Sequence, residues 1–204
     1  MQGPYSARYL PLGELYLQFN HLDSVPETYQ RDLNLHTAVS TLNYTINGVS
    51  YKREIFTSFP DKVLMMRITV DKPGVISFAS GLISKLRVQS KISGSNELIL
   101  NGKAPKFVAH RDYEAKQVEY DEQEEMNFQI RMRIKNEGGT LTANGDQLVI
   151  RNADAVTIYL TEATSFNGFD KSPGLAGIDP AIETLVNMNQ VFPKSFETLK
   201  VQHI

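Results

Sequence analysis

Period-two alternation dominates this chain and leaves little choice of fold. Hydrophobic side chains return at every second position in short runs, and Gly, Pro, Asn and Asp separate the runs. Strand signals spaced about 8–12 residues apart, with turn chemistry between them, predict an antiparallel sandwich or barrel. No helix-length periodic segment interrupts them before residue 164, which argues against βαβ units and a parallel sheet.

The strands can be followed in order. After a Pro-Leu-Gly bend at 11–13, Leu15, Leu17 and Phe19 share one face. Residues 29–35 lead into a long hairpin over 38–59, whose arms meet at Asn47-Gly48. That pair predicts a type I′ turn, because both central residues must take positive φ. Leu64, Met66, Ile68 and Val70 line the next strand, which ends at Asp71-Lys72-Pro73-Gly74. Residues 75–82 form another, and residues 86–92 and 98–100 flank a Ser93-Gly94-Ser95-Asn96 turn. Residues 101–123 are the least regular part. Beyond them Met126, Phe128, Ile130, Met132 and Ile134 fall on one face, and strands follow at 148–150 and 156–161.

Residues 164–180, TSFNGFDKSPGLAGIDP, change the character of the chain. Gly168, Pro173, Gly174, Gly177 and Pro180 exclude a strand or helix interior, and the aromatic anchors Phe166 and Phe169 favour an ordered loop. The period then becomes helical. Asp179 stands at an N-cap position, Pro180 at the first helical position, and Ile182, Leu185, Val186 and Asn189 lie at helical spacing. Pro193 ends that helix, and Ser195 can cap a second with Phe196, Leu199 and His203. The chain stops at Ile204 without a C-cap signal, as expected of a polypeptide that continues. The expected organisation is a sandwich over 1–163, a long ordered loop over 164–180 and a helical linker segment over 181–204.

Composition narrows the function. At 204 residues, with 41% hydrophobic and 22% charged side chains, one domain with a sizeable core is expected. A net charge of −2 gives no electrostatic footprint for nucleic acid or an anionic membrane. No apolar run approaches the ~18 residues of a spanning helix, and the first five residues lack the pattern of a signal peptide. The absence of Cys removes disulfides, thiolate zinc sites and cysteine nucleophiles. Trp, a common stacking platform for sugars, is also absent, which weighs against a free-standing lectin.

His21, His36, His110 and His203 are scattered without metal-ligand spacing, and no nucleophile elbow or phosphate- or dinucleotide-binding loop occurs. No metal or cofactor is expected. His110-Arg111-Asp112-Tyr113 is either a ligand cluster or, by preference, a solvated loop. Asp121–Glu125 is either a cation site or, by preference, a solvated turn that discourages edge pairing. Phe166, Asn167, Phe169, Asp170 and Lys171 are the remaining candidates for a substrate cleft. They either meet sugar hydroxyls at its rim or, by preference, make turns and hydrophobic plugs.

Several ordered segments resemble the large family 95 glycoside hydrolases, the α-L-fucosidase type. Pro11-Leu12-Gly13-Glu14-Leu15-Tyr16-Leu17 with Phe19 resembles that family's P-L-G-D/E-L-x-L-x-F. Residues 29–38, YQRDLNLHTA, resemble its Y-x-R-x-L-D-L-x-T-A, and Tyr51-Lys52-Arg53-Glu54 with Phe56, Ser58, Pro60 and Asp61 resembles Y-x-R-E-x-F-x-S-x-P-D. Leu98, Leu100, Gly102 and Ala104-Pro105 resemble L-x-L-x-G-x-A-P, and Asn152-Ala153-Asp154 and residues 164–174 match in turn.

The resemblance implies an all-β fold: a large antiparallel β-sandwich (a "super-sandwich") with a short C-terminal α-helical linker extension. In that family the linker leads to an (α/α)6 barrel holding the catalytic acid and the asparagine-assisted base of an inverting hydrolysis. The barrel and the family's opening segment have no counterpart here. No catalytic residue is therefore expected in this chain, whose implied role is to support the barrel and shape the glycan cleft. The implied partners are the barrel and, through the parent enzyme, a fucosylated glycan. Self-association through the bared docking face and a periplasmic or secreted bacterial setting are further expectations. The rival reading is an autonomous carbohydrate-binding module using Tyr113, Phe166 and Phe169. A hydrolase with its carboxylates inside the sandwich ranks last.

Overall fold

A computed structural model describes residues 9–21, 24–109, 111, 113–121, 123 and 125–204. Among the described residues, fourteen antiparallel strands and two short helices make up the fold. The larger sheet has eight strands. In spatial order these are β2 (Thr28–Asn34), β3 (Val39–Ile46), β4 (Val49–Ser58), β5 (Val63–Val70), β14 (Ala155–Thr164), β11 (Asn127–Glu137), β8 (Glu97–Lys103) and β7 (Arg87–Ser93). Four strands form the second sheet: β1 (Glu14–Phe19), β6 (Ile76–Ile83), β13 (Gln147–Ala153) and β12 (Thr140–Asn144). A short pair, β9 (Phe107–Val108) and β10 (Val118–Glu119), lies apart from both.

The alternation read from the sequence decides which face packs. Phe128, Ile130, Met132 and Ile134 of β11 all enter the core, where Ile68, Leu98, Leu100, Val156 and Ile158 join them from the large sheet. Phe19, Ile76, Phe78, Leu148 and Ile150 meet them from the small one. This is an all-β sandwich with a short helical extension. The predicted hairpin closes at Asn47 and Gly48, with φ of 52° and 67°, as a type I′ turn requires.

The sequence pattern left three elements unread. β9 and β10 form a small ladder inside the stretch expected to be irregular, and β12 occupies a five-residue span between the turns at Gly138-Gly139 and Gly145. Strands of two to five residues carry too few alternations to declare themselves.

The helices α1 (Pro180–Val191) and α2 (Phe196–His203) fold back over the outer face of the large sheet. Asp179 caps α1 by accepting from Ala181 N–H, and Ser195 caps α2 by accepting from Thr198 N–H. Val39, Phe56, Val63, Met65 and Tyr159 on the sheet pack with Met188, Val191, Phe196 and Leu199 in a second apolar cluster. The central strands of the large sheet are thus covered on both faces.

Candidate functional site

The sheet face beneath α1 is polar where a sandwich's outer face is usually wet. Gln129, Arg131 and Arg133 alternate with the core residues of β11, and Asn101 and Glu97 stand beside them on β8. Arg131 Nη1 donates to Glu97 Oε1 at 2.6 Å, and Arg133 Nε donates to the other carboxylate oxygen. Arg131 Nη2 donates to Gln129 Oε1 at 3.1 Å, and Gln129 Nε2 donates to Asn101 Oδ1 at 2.6 Å. The helix completes the network. Thr184 donates to Gln129, Thr161 donates to Thr184 C=O at 3.0 Å, and Arg133 Nη1 donates to Asn189 Oδ1 at 3.0 Å.

Glu97 and Arg131 are only 4% and 6% exposed. Buried charges are tolerated when paired and hydrogen-bonded, and this cluster meets the condition except at Arg131 Nε, which has no partner.

Helix α2 is held by a second ionic contact. Glu54 accepts from Lys200 Nζ at 2.8 Å and lies 3.1 Å from Lys52 Nζ. Partial burial opposes ionisation of Glu54, but the hydrogen bonds and charges of the two lysines outweigh it and hold the carboxyl below the usual range. His203 stacks on Phe56 at 4.8 Å, and its Nε2 lies 3.0 Å from Thr37 C=O.

While Thr184 and Asn187 turn inward with Met188 and Val191, α1 presents an apolar stripe to solvent. The stripe Ile182, Leu185 and Val186 is 62%, 39% and 47% exposed, and the buried positions are Pro180, Thr184, Asn187, Met188 and Val191. Ile178 and Leu175, on the loop that leads into the helix, are exposed as well.

The loop over 165–179 borders a cavity of about 360 Å³, lined in part by Asn101, Gln129, Ser165, Gly177, Ile178 and Asp179. Gly177 is required by close approach: a Cβ there meets Pro173 C=O and lies 2.6 Å from Ser165 C=O. The five residues expected to rim a cleft take separate places, and none lines this cavity. Asn167 Nδ2 donates to Ala176 C=O at 2.9 Å and so ties the loop across its base. Phe166 is exposed, Phe169 is 98% exposed, and Asp170 and Lys171 face solvent beside it.

Of the polar loop cluster, Arg111 donates to the Tyr113 hydroxyl on an exposed segment, while His110 and Asp112 lie outside the described residues. Glu122 and Glu124 of the acidic run also lie outside them. No group of His, Asp and Glu with metal-binding geometry occurs among the described residues, and no described helix is long and apolar enough to cross a membrane.

The buried network was missed because its strand pattern, Q-I-R-M-R-I, looks like an ordinary wet face. A signal existed in α1, whose Thr184, Asn187, Met188 and Val191 fall on one side, a half-polar surface matched to a polar sheet.

The fold is a two-sheet antiparallel sandwich with a short helical extension, and comparison with known proteins places it. Residues 1–168 match the glycosyl hydrolase family 65, N-terminal domain, and the chain belongs to that family. It is 29% identical over its whole length to "Alpha-L-fucosidase 2" of Arabidopsis thaliana, of which it spans 25%. A solved structure described as "Putative kojibiose phosphorylase from human microbiome" shares the fold with a TM-score of 0.53 and 14% identity. The match covers 93% of this chain and 26% of that one. The protein is thus the N-terminal domain type of a glycoside hydrolase. The matched family bears the number 65 where the resemblance implied 95. The curated relative is from a plant, so the bacterial setting implied by the resemblance gains no support from it.

Proposed function

We propose that this chain is the non-catalytic N-terminal domain of an α-L-fucosidase-type, family 95 glycoside hydrolase, and that it supports an (α/α)6 catalytic barrel. Full-length similarity to a fucosidase four times as long supports the fucosidase type over the phosphorylase type. One observation carries the supporting role: the Ile182, Leu185 and Val186 stripe of a helix held onto the sheet by its other, half-polar side.

A free-standing domain gains nothing from an apolar outer stripe, whereas a second domain seated there buries it at about 25 cal/mol per Å². In this reading the loop over 164–180 reaches from the sandwich toward the barrel. Phe166, Phe169, Asp170 and Lys171 are its solvent-facing candidates for a glycan rim, with Phe169 as the free ring, while Asn167 ties the loop behind them. In the absence of the barrel the bare stripe promotes self-association.

The test is a paired charge substitution, Ile182→Glu with Val186→Glu, in the protein encoded by the uninterrupted reading frame. Loss of fucosidase turnover, with the sandwich still folded, supports the reading. Unchanged turnover and unchanged domain association sink it.

A further inference from the structure

The open end of the sandwich holds a second cavity, away from the helices. The large sheet is wider than the small one, and its edge strand β2 is exposed along its whole length. Where the sheets part, a cavity of about 240 Å³ opens between the end of β1 and the inner face of β2, β3 and β4. Leu17, Leu42 and Ile46 give it apolar walls, and Phe19, Tyr29 and Tyr44 give it rings.

Arg53 lines it. Its Cζ lies 4.3 Å from the Phe19 ring centroid and 5.1 Å from that of Tyr44. Nη2 donates to the Tyr44 hydroxyl at 2.8 Å. Nε is buried without a partner, and no carboxylate pairs with Arg53 among the described residues. Elsewhere in the domain partly or fully buried cations are paired: Arg131 and Arg133 with Glu97, Lys200 with Glu54, Lys194 with Asp61. Arg53 thus brings a positive charge to the cavity wall with no carboxylate partner among the described residues.

His21 does not answer it. Its ring lies 5.0 Å from Phe19 and 4.8 Å from Tyr51, with Nε2 3.4 Å from the Tyr44 hydroxyl. Burial and, after it, the Arg53 charge lower the His21 pKa, so the imidazole is neutral near pH 7. It can donate or accept one hydrogen bond without adding charge. Behind the cavity wall the Tyr44 and Tyr51 rings stack at 4.9 Å and 4°.

We propose that the cavity around Arg53 binds a carboxylate carried on a single ring, the anion meeting the guanidinium and the ring lying against Tyr29. A guanidinium on an aromatic floor suits a planar anion, because arginine offers a fork of donors fixed in geometry. The volume, below the ~300 Å³ at which larger ligand pockets begin, suits a single ring. Tyr29 is 62% exposed at the rim and free to meet it. This site is independent of the docking role proposed for α1.

The experiment is a titration of the 204-residue chain, followed by backbone amide NMR at low salt, with glucuronate, benzoate and glucose as probes. Saturable shifts at Phe19, Tyr29 and Tyr44 are expected with at least one of the two acids, and none with glucose. Binding of glucuronate alone marks an acidic sugar, and binding of benzoate alone an aromatic acid. Binding of both marks a general ring carboxylate. Arg53→Gln is expected to weaken binding roughly tenfold or more. Tyr29→Ala, a surface change that leaves the fold intact, should weaken it about threefold to tenfold and decides the matter if the arginine variant does not fold. No saturable binding of either acid, equal binding of glucose, or unchanged affinity in a folded Arg53→Gln or Tyr29→Ala protein overturns the proposal.

Discussion

Glu97 on β8 and Arg131 on β11 form an ion pair, with Nη1 and Oε1 2.6 Å apart, on the sheet face that α1 covers. Arg133 shares the same carboxylate and carries the contact on to Asn189 of the helix. The pair therefore joins sheet to helix, and its chemistry sets what the helix can turn outward.

Removing that carboxylate leaves two guanidiniums without their shared anion. Glu97→Gln is expected to destabilise the chain by roughly 3–5 kcal/mol, the range seen when one partner of a buried pair is lost. Urea denaturation followed by circular dichroism measures it. Arg131→Gln made in the Glu97→Gln background should cost less than in the parent chain, since the two residues share one interaction. Additive costs would show that the pair is not coupled.

The helix that covers the pair also packs through apolar contacts. Met188 is fully buried between α1 and the sheet, and Met188→Ala should cost about 2–5 kcal/mol. The outward stripe behaves differently. Ile182→Glu and Val186→Glu should each change the stability of the isolated chain by no more than about 0.5 kcal/mol, and should reduce any self-association seen by sedimentation velocity. A large loss of stability from either would mean that the stripe packs within the domain itself.

Legibility differed sharply between the two faces of β11. Phe128, Ile130, Met132 and Ile134 announced the core because water-to-core transfer imposes a strict period of two. Gln129, Arg131 and Arg133 could not announce their burial, because a charge that is paired after folding looks like one that is solvated. The same ambiguity hid the orientation of α1: Ile182, Leu185 and Val186 form the more hydrophobic stripe, yet the helix buries Thr184 and Asn187. The Arg53 cavity was equally silent, since Tyr44, Arg53 and His21 meet only through strand register and the end of β1. Local rules carried better: Asn47-Gly48, the Asp179 cap and the Ser195 cap all occur where the sequence puts them.

Acid should loosen α2 before it unfolds the sandwich. The Glu54 pKa is lowered in the folded chain, so the stabilisation it supplies is present above the ordinary glutamate value of about 4.3 and is lost as pH falls through the lower folded value. Hydrogen exchange over residues 196–203, measured downward from pH 6, should show protection falling in that window, after allowance for the intrinsic rate. Glu54→Gln should flatten the response. Equal protection of α2 in both proteins at every pH would contradict the assignment.

The loop offers a purely steric check. Gly177→Ala places a methyl group against Pro173 and Ser165 carbonyls and should cost about 1–3 kcal/mol. Thermal melting reads the loss. A neutral result would mean that the 164–180 segment shifts freely to make room.

The central claim, a supporting domain without catalytic groups of its own, is tested most directly by turnover of an aryl α-L-fucoside. The purified 204-residue chain and the protein encoded by the uninterrupted reading frame are assayed side by side. Hydrolysis by the longer protein and none by the chain alone is the predicted result. Turnover by the 204-residue chain at a rate above the uncatalysed reaction, abolished by substitution of its own carboxylates, would contradict it.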